Sequence, residues 1–199
     1  MAELFALAAA TTVLVMIPGP NVALIVANSL RYGARMGVAT VLGTTLGVAL
    51  QLLFVVTSLA VIVELVADAL SWIRWAGVAY LVWLGLRTWS EPAGDLRYTA
   101  VAPKLFWRGC AIAAANPKTL LFNAAFLPQF VNSGEGATVE LAVAALVFLT
   151  VLLLGDMLWA VFAGSARRLL DKYSAARNRM TGGFLVAAGI GLALSRRAL

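Results

Sequence analysis

The chain has 199 residues, of which 62% are hydrophobic and 12% are charged, with a formal net charge of +6 and a mean hydropathy of +0.93. Soluble domains are about 45–50% apolar and about 25% charged, so this composition excludes an ordinary soluble domain and indicates an integral membrane protein. The long uncharged segments favour an all-α membrane protein over a β-barrel, whose strands would alternate in segments of about ten residues.

The first predicted membrane segment, Leu4–Leu30, has a break in its middle. The segment carries no formal charge and exceeds the roughly 20 residues that cross a bilayer. Pro18-Gly19-Pro20-Asn21 interrupts it, because each proline removes a backbone donor and clashes with the preceding helical turn. Freed backbone groups persist in a membrane only inside protein or beside water, so the break marks a site or a hinge. Pro20 is expected to start a second half-helix, with Gly19 supplying unusual backbone angles.

Segment two, Met36–Val63, carries small residues on one helical face. Gly37, Gly43 and Gly47 recur at spacings that place them close together on that face, and small residues let membrane helices approach closely. We interpret this face as a helix-packing surface rather than a substrate-lining one. The neutral Thr44 between them remains a candidate for a polar translocation path.

The remaining segments complete two halves of a single membrane domain, residues 1–199. The predicted segments after the second are residues 69–86, 108–131, 141–166 and 180–195. Residues 1–87 form the first three-helix half, residues 88–107 a central cytoplasmic linker, and residues 108–199 the second three-helix half. The sequence thus predicts six transmembrane helices.

The basic residues lie mostly in the connectors. Eleven Lys and Arg residues follow segments one, three and five, three lie on the opposite side, and Lys118 lies inside a segment. By the positive-inside rule, both termini face outward and the basic connectors face the cytoplasm. The same distribution argues against a nucleic-acid partner, because the positive charge is not gathered on one soluble face.

A second break, Asn116-Pro117-Lys118, interrupts segment four about half a chain after the first. Asn116 is a favoured N-cap residue, and Pro117 suits the first helical position. Since each half has an odd number of spans, the halves run oppositely, as in an inverted repeat whose broken helices 1 and 4 meet near the midplane. Helix N-termini bind carboxylates, so two of them would form a pocket for a small carboxylate-bearing solute. The alternative is that both breaks only kink helices for packing.

Two ionisable residues lie within the apolar segments. Asp156 is deep in segment five, and such residues usually mark ion or substrate paths and proton relays. Lys118 lies in the first turn of its half-helix, which is the unfavourable end for a cation. A proton-coupling role for both residues and a buried structural Lys118–Asp156 pair remain equally open. Neutral residues that could add hydrogen bonds to a polar path are Asn28, Thr44, Gln51 and Asn123.

These motifs resemble the lysine-exporter/homoserine-resistance (LysE/RhtB) family of bacterial translocators. The matching elements are Pro18–Asn21, the glycines from Gly33 to Gly47, Asn116–Lys118, and Gly155-Asp156. The resemblance covers nearly the whole chain, including length, segment count and motif order. It implies export of amino acids or related metabolites across the bacterial inner membrane, driven by the proton-motive force. It also implies that the two Pro motifs and Asp156 contribute to the translocation path.

The sequence therefore predicts a proton-coupled exporter working by alternating access, and not an enzyme. A membrane-embedded enzyme would need a nucleophile, metal ligands or an acid/base pair, whereas the chain has no histidine, the single Cys110 and one deep carboxylate. A non-transporting scaffold would need no polar midplane. A metal-ion or thiol exporter is disfavoured by the scarcity of ligands. We predict no cofactor and no metal site, an amino acid, protons and lipid as partners, and a chain compatible with a homo-oligomer.

Overall fold

The computed structural model of the protein describes residues 2–58, 63–90, 102–123, 127–130, 137–170 and 174–194, and within these ranges it contains helices and no strand. The α-helices in chain order are α1 (Ala2–Met16), α2 (Pro20–Tyr32), α3 (Ala34–Ser58), α4 (Val63–Ser90), α5 (Ala102–Ala114), α6 (Pro117–Leu121), α7 (Ala137–Leu170) and α8 (Ser174–Leu194). A short 3-10 helix occupies Leu127–Phe130. The all-α prediction is thus confirmed for the described residues.

The first predicted segment is a pair of helices rather than one rod. α1 and α2 are bent by 57° at the break between them. α2 ends at Tyr32 and is followed by Gly33, whose φ of +93° and ψ of 166° form a backbone conformation that essentially only glycine adopts, and whose N–H donates a hydrogen bond of 2.8 Å to the Ser29 carbonyl. Glycine suits this position because other residues are strained there. α3 then starts at once with Ala34.

Helices long and apolar enough to cross a membrane are fewer than predicted. Among the described residues, two continuous helical stretches meet that requirement, Ala34–Phe54 and Val139–Arg167, and the bent α1–α2 pair makes a third. The described helices therefore do not confirm the prediction of six spans in two inverted halves. Helix bounds also differ from the predicted linker at 88–107, because α4 continues to Ser90 and α5 begins at Ala102.

The helices pack in pairs around the two broken segments. α3 lies against α5, α4 lies against α8, and α7 contacts α1, α2 and α3. The largest buried apolar cluster joins α1, α3, α5, α7 and the 3-10 helix, and Phe148 at its centre stacks on Phe122 with ring centroids 5.1 Å apart. α7 is therefore the central helix of the part of the fold that surrounds the breaks.

Glycines permit the closest helix contacts. A Cβ on Gly43 would collide with the backbone of Phe106, and one on Gly47 would collide with the Cys110 carbonyl. Gly109 faces back toward α3, where a Cβ would lie 2.7 Å from the Thr40 carbonyl oxygen. A Cβ on Gly37 would collide with the Ser29 side chain on α2. The small-residue face of α3 therefore lies in helix–helix contacts.

The outer faces of α3 and α7 are apolar. Exposed large hydrophobic residues recur along them at helical spacing, namely Leu42, Leu46, Leu50, Leu53, Phe54, Val139, Val143, Leu146, Leu154, Leu158, Val161 and Phe162. Exposed apolar area of this extent is unusual for a soluble monomer and fits a surface in contact with lipid. The polar groups discussed below lie on the opposite, inward-facing sides.

Candidate functional site

The first break has the geometry of a new helix start. α1 ends at Met16, and α2 begins with Pro20 at its first position, where a missing N–H costs no hydrogen bond. Gly19 is the preceding residue, with φ −131° and ψ −170°. These angles are extended backbone that any residue adopts, so the prediction that Gly19 supplies unusual backbone angles is wrong.

Gly19 instead provides space for Lys118. A Cβ at Gly19 would lie 3.3 Å from Cδ and 3.7 Å from Nζ of Lys118. The first distance is tighter than ordinary van der Waals contact, so a side chain at this position would require Lys118 to shift by a few tenths of an ångström. The absence of a side chain at Gly19 therefore lets the lysine of the second break enter the first.

The second break is also a helix start. The Asn116 side-chain oxygen accepts a hydrogen bond of 3.0 Å from the Lys118 backbone N–H, which makes Asn116 the N-cap of α6. Pro117 occupies the first helical position. α6 is only five residues long, and residues 122 and 123 continue it in π-helical conformation. Local capping chemistry thus fixes where this helix begins.

The two breaks meet through their asparagines. Nδ2 of Asn116 donates a hydrogen bond of 2.9 Å to Oδ1 of Asn21, and both side chains are buried. Asn21 follows the proline that starts α2, whereas Asn116 precedes the proline that starts α6. The starts of the two half-helices are therefore adjacent in space.

Lys118 closes the end of α1. Its Nζ donates hydrogen bonds of 2.6 Å to the carbonyl oxygens of Leu14 and Ile17, which have lost helical partners because the helix stops there. Trp159 on α7 donates from its indole to the Val15 carbonyl at 3.2 Å. A cation at a helix C-terminus is stabilised by the helix dipole. The contact with α1 therefore offsets the unfavourable interaction of the Lys118 charge with the N-terminus of α6, its own helix.

Gln51 likewise satisfies carbonyl groups at the end of α5. Its Nε2 lies 2.9 Å from the Ala113 carbonyl oxygen, 3.0 Å from that of Ala114 and 3.1 Å from that of Asn116. Its Oε1 accepts a hydrogen bond of 2.8 Å from the Thr119 hydroxyl. Each break therefore has a polar side chain that satisfies the carbonyls freed by it, as burial in an apolar surrounding requires.

Asp156 is the deepest charged group near the breaks. It is 2% exposed, and its Oδ2 is buried without a hydrogen-bond partner. The Lys118 ammonium interacts with it electrostatically, yet among the described residues Asp156 forms no ion pair. A buried carboxyl oxygen without a hydrogen-bond partner is costly and rare in proteins.

Asp156 faces a small cavity between the breaks. The cavity has a volume of about 20 Å³ and is lined by Leu14, Val15, Gly19, Asn21, Val22, Asn116, Lys118, Thr119, Leu152 and Asp156. About 10–15 Å³ is enough for one water molecule, so the cavity is large enough for a water molecule and too small for an amino acid. The backbone N–H groups of Asn21 and Val22, in the first turn of α2, have no intrahelical acceptor. The cavity thus brings together the Asp156 carboxyl, the Lys118 ammonium and the first N–H groups of α2.

The structure brings most of the predicted site residues to the cavity, but not all of them. Gly19, Asn21, Asn116, Lys118 and Asp156 line the cavity, and Pro20 and Pro117 begin the helices that frame it. Pro18 is exposed. Thr44 and Asn123 are fully buried outside it: the Thr44 hydroxyl donates to the Val41 carbonyl in its own helix, and Asn123 lies 3.5 Å from Gln51.

Sequence reasoning missed the role of Trp159 and gave Gln51 only a weak claim. Both side chains act on carbonyl groups that are remote in sequence, since Trp159 bonds Val15 and Gln51 bonds residues 113–116. The available signal for Gln51 was an amide in an otherwise apolar segment. No pattern in the sequence around Trp159 distinguishes it from a lipid-facing tryptophan.

Comparison with known proteins places this chain among membrane translocators. Residues 12–196 match the LysE type translocator family. A homoserine/homoserine lactone efflux protein of Salmonella typhimurium is 27% identical over 203 residues, which cover 98% of this chain and 97% of that protein. A cysteine/O-acetylserine efflux protein of Escherichia coli K12 is 28% identical, with coverage of 82% and 83%. An uncharacterised membrane protein of Bacillus subtilis is 26% identical, with coverage of 98% and 100%. No solved structure matches the chain.

Proposed function

The chain belongs to the LysE type translocator family, and on this premise we propose that it is a secondary transporter exporting small amino acids or closely related metabolites. Two relatives carry names that specify efflux of homoserine and its lactone or of cysteine and O-acetylserine. Most of these compounds are small and polar and have both an amino group and a carboxyl group. We propose a substrate of this class, moved across the bacterial inner membrane by a protein whose termini face outward.

The observation that carries this proposal is the unpartnered carboxyl of Asp156 in the cavity between two helix breaks. A substrate ammonium group suits that carboxyl. A substrate carboxylate suits the free N–H groups at the start of α2 and the Lys118 ammonium, because helix N-termini and cations both attract anions. The cavity thus offers complementary charge to both ends of an amino acid.

The small volume of the cavity supports an alternating-access cycle. A chamber of about 20 Å³ cannot contain the substrate, so binding requires the two breaks to separate. We propose that the two halves of the chain are inverted three-helix repeats and that they rock against each other. The contacts that must then change are the Asn21–Asn116 hydrogen bond and the bonds from Lys118 to the end of α1.

Proton coupling is proposed for Asp156 together with Lys118. A protonated Asp156 cannot balance a substrate ammonium group as a carboxylate can, so proton binding and substrate binding at this residue compete. Such competition lets an inward flow of protons drive an outward flow of substrate. Lys118 takes part because its charge acts on the same carboxyl while its ammonium holds α1 in place.

The experiment uses protein reconstituted in vesicles with L-homoserine as substrate. We expect a pH gradient to drive homoserine transport by the wild type and by Asp156→Glu, although more slowly by the latter. Asp156→Asn should lose gradient-driven transport while its thermal unfolding temperature stays unchanged or rises, because the substitution removes a buried charge. Gradient-driven transport by Asp156→Asn at the wild-type rate would exclude the coupling role.

A further inference from the structure

A second, larger cavity lies at the other end of α2. Its volume is about 160 Å³, and it is lined by Leu24, Ala27, Asn28, Arg31, Tyr32, Trp83, Leu84, Arg87, Thr88, Arg108, Thr181 and Leu185. An engineered cavity of about 150 Å³ is enough to bind benzene, so this one admits a solute of the size of a small amino acid. It shares no lining residue with the cavity at the breaks.

Arginines from three helices line this cavity. Arg31 lies over the ring of Tyr32 with its Cζ 5.1 Å from the ring centroid, and Arg87 lies over Trp83 at 5.4 Å. Stacking on an aromatic face restrains the position of a guanidinium. Arg108 adds a third guanidinium from α5. The charge of the wall therefore favours an anionic group.

Buried polar groups line the inner part of the cavity. The Thr181 side chain is 2% exposed, and its hydroxyl is buried without a hydrogen-bond partner. Asn28 is 6% exposed and uses its Nδ2 to donate to the Thr40 hydroxyl at 3.0 Å, which leaves Oδ1 as an acceptor. Because a buried hydroxyl without a partner is costly, the site is better explained by a polar ligand than by packing.

We propose that this cavity is a second binding site, which holds the carboxylate of an amino acid at Arg108, beside the Thr181 hydroxyl. The inference rests on the proposed export function, because the exported solute would bind in this cavity before it binds between the breaks. Seven residues of α2 separate Asn28 from Asn21, or about 10 Å along the helix at a rise of about 1.5 Å per residue. The two sites thus lie at successive depths along one helix.

Homoserine and homoserine lactone provide matched probes, because the lactone has lost the free carboxylate but retains the amino group. The test variant is Arg108→Gln, since Arg108 makes no hydrogen bond or ion pair within the part of the chain that the structure describes. The control is Arg35→Gln, which changes an exposed arginine in the first turn of α3 that does not line the cavity. A lost hydrogen bond between an arginine and a carboxylate corresponds to an affinity change of about tenfold or more.

Binding is measured on the purified protein in detergent through tryptophan fluorescence, with Trp83→Phe identifying the signal from the cavity wall. We expect a saturable change with homoserine that Trp83→Phe removes. Arg108→Gln should weaken homoserine binding about tenfold or more, whereas Arg35→Gln should bind like the wild type. Lactone binding should be the same in all three proteins. Thr181→Val should weaken homoserine binding without lowering the unfolding temperature, which a purely structural hydroxyl would not do.

The two proposals can fail separately. Homoserine transport in vesicles without a Trp83 signal would overturn the second site and leave the export function standing. A Trp83 signal without transport would overturn the export function instead. A third arm adds phosphatidylglycerol to neutral detergent micelles. If this lipid changes the Trp83 signal through Arg108 while homoserine and lactone bind alike, the cavity is a site for a lipid headgroup and the proposal is wrong.

Discussion

The side-chain amide of Asn116 donates a hydrogen bond of 2.9 Å to the side-chain oxygen of Asn21, although the two residues lie 95 positions apart. Each stands beside the proline that begins a half-helix. Both are almost fully buried, at 3% and 5% exposure. This bond joins the two breaks directly at the cavity between them, so the proposed separation of the breaks would have to break it.

Substitution of Asn116 tests this bond. Asn116→Ala removes both the N-cap of α6 and the bond to Asn21, so we expect a loss of about 1–3 kcal/mol in the free energy of unfolding. Asn116→Ser keeps a capping oxygen but is too short to reach Asn21. Its stability should lie between those of Asn116→Ala and the wild type. Thermal unfolding in detergent measures the order, and equal stability of all three proteins would contradict it.

The contact of Lys118 with the end of α1 predicts a structural effect of its removal. Lys118→Met loses two charge-assisted hydrogen bonds to carbonyl oxygens, and such bonds contribute about 1.5–3 kcal/mol each. We expect a clear fall in unfolding temperature. Lys104→Met, which removes an exposed lysine from α5, should unfold like the wild type.

The same substitution in an Asp156→Asn background separates capping from ion pairing. If Lys118 mainly caps α1, Lys118→Met lowers stability in that background about as much as in the wild type. If the lysine mainly neutralises Asp156, the second substitution costs little once the charge of Asp156 is gone. The difference between the two effects is the coupling energy of the pair.

Helix starts were the most predictable part of the site. Asn-Pro and Pro-Gly-Pro specify them locally, through a capping oxygen and a ring that suits the first helical turn. What the freed carbonyl groups bind was not predictable, because the partners Lys118, Gln51 and Trp159 come from other segments. Their contacts depend on how helices pack, which no local pattern encodes.

The predicted role of Gly19 was wrong because its close contact also comes from another segment. Glycine in a helix break suggested a special backbone angle, whereas its φ of −131° needs none. The close neighbour of Gly19 is instead a lysine about a hundred positions later in the chain. Gly33, by contrast, does have the positive φ that glycine favours, and it lies outside the site.

Alanine substitution of Gly19 and Gly33 should therefore give opposite results. Gly33→Ala forces a side chain into a positive-φ conformation that essentially only glycine adopts, which costs about 1–3 kcal/mol of stability. Its Cβ would also lie 2.9 Å from Arg167. Gly19→Ala is unstrained in its backbone but displaces Lys118. We expect the larger fall in unfolding temperature for Gly33→Ala and the larger fall in homoserine efflux for Gly19→Ala; the reverse pattern would refute this assignment.

The final prediction concerns the close approach of α3 and α5. A Cβ on Gly43 would collide with backbone atoms of Phe106, which cannot rotate away, so the helices must separate. Overpacking of this kind typically costs about 1–3 kcal/mol. Gly191 in α8 has nothing within 4 Å of the position of its Cβ. Gly191→Ala should therefore keep or raise stability, by up to about 1 kcal/mol, because alanine is the better helix former.

Thermal unfolding of Gly43→Ala and Gly191→Ala also decides between the two interpretations of the small-residue face of α3. If this face serves helix packing, Gly43→Ala should unfold at a lower temperature than both Gly191→Ala and the wild type. Its efflux should then fall only in proportion to the loss of folded protein. A substrate-lining face requires normal stability with impaired efflux. Because the obstructing atoms belong to a neighbouring backbone rather than to a cavity, we expect the first result.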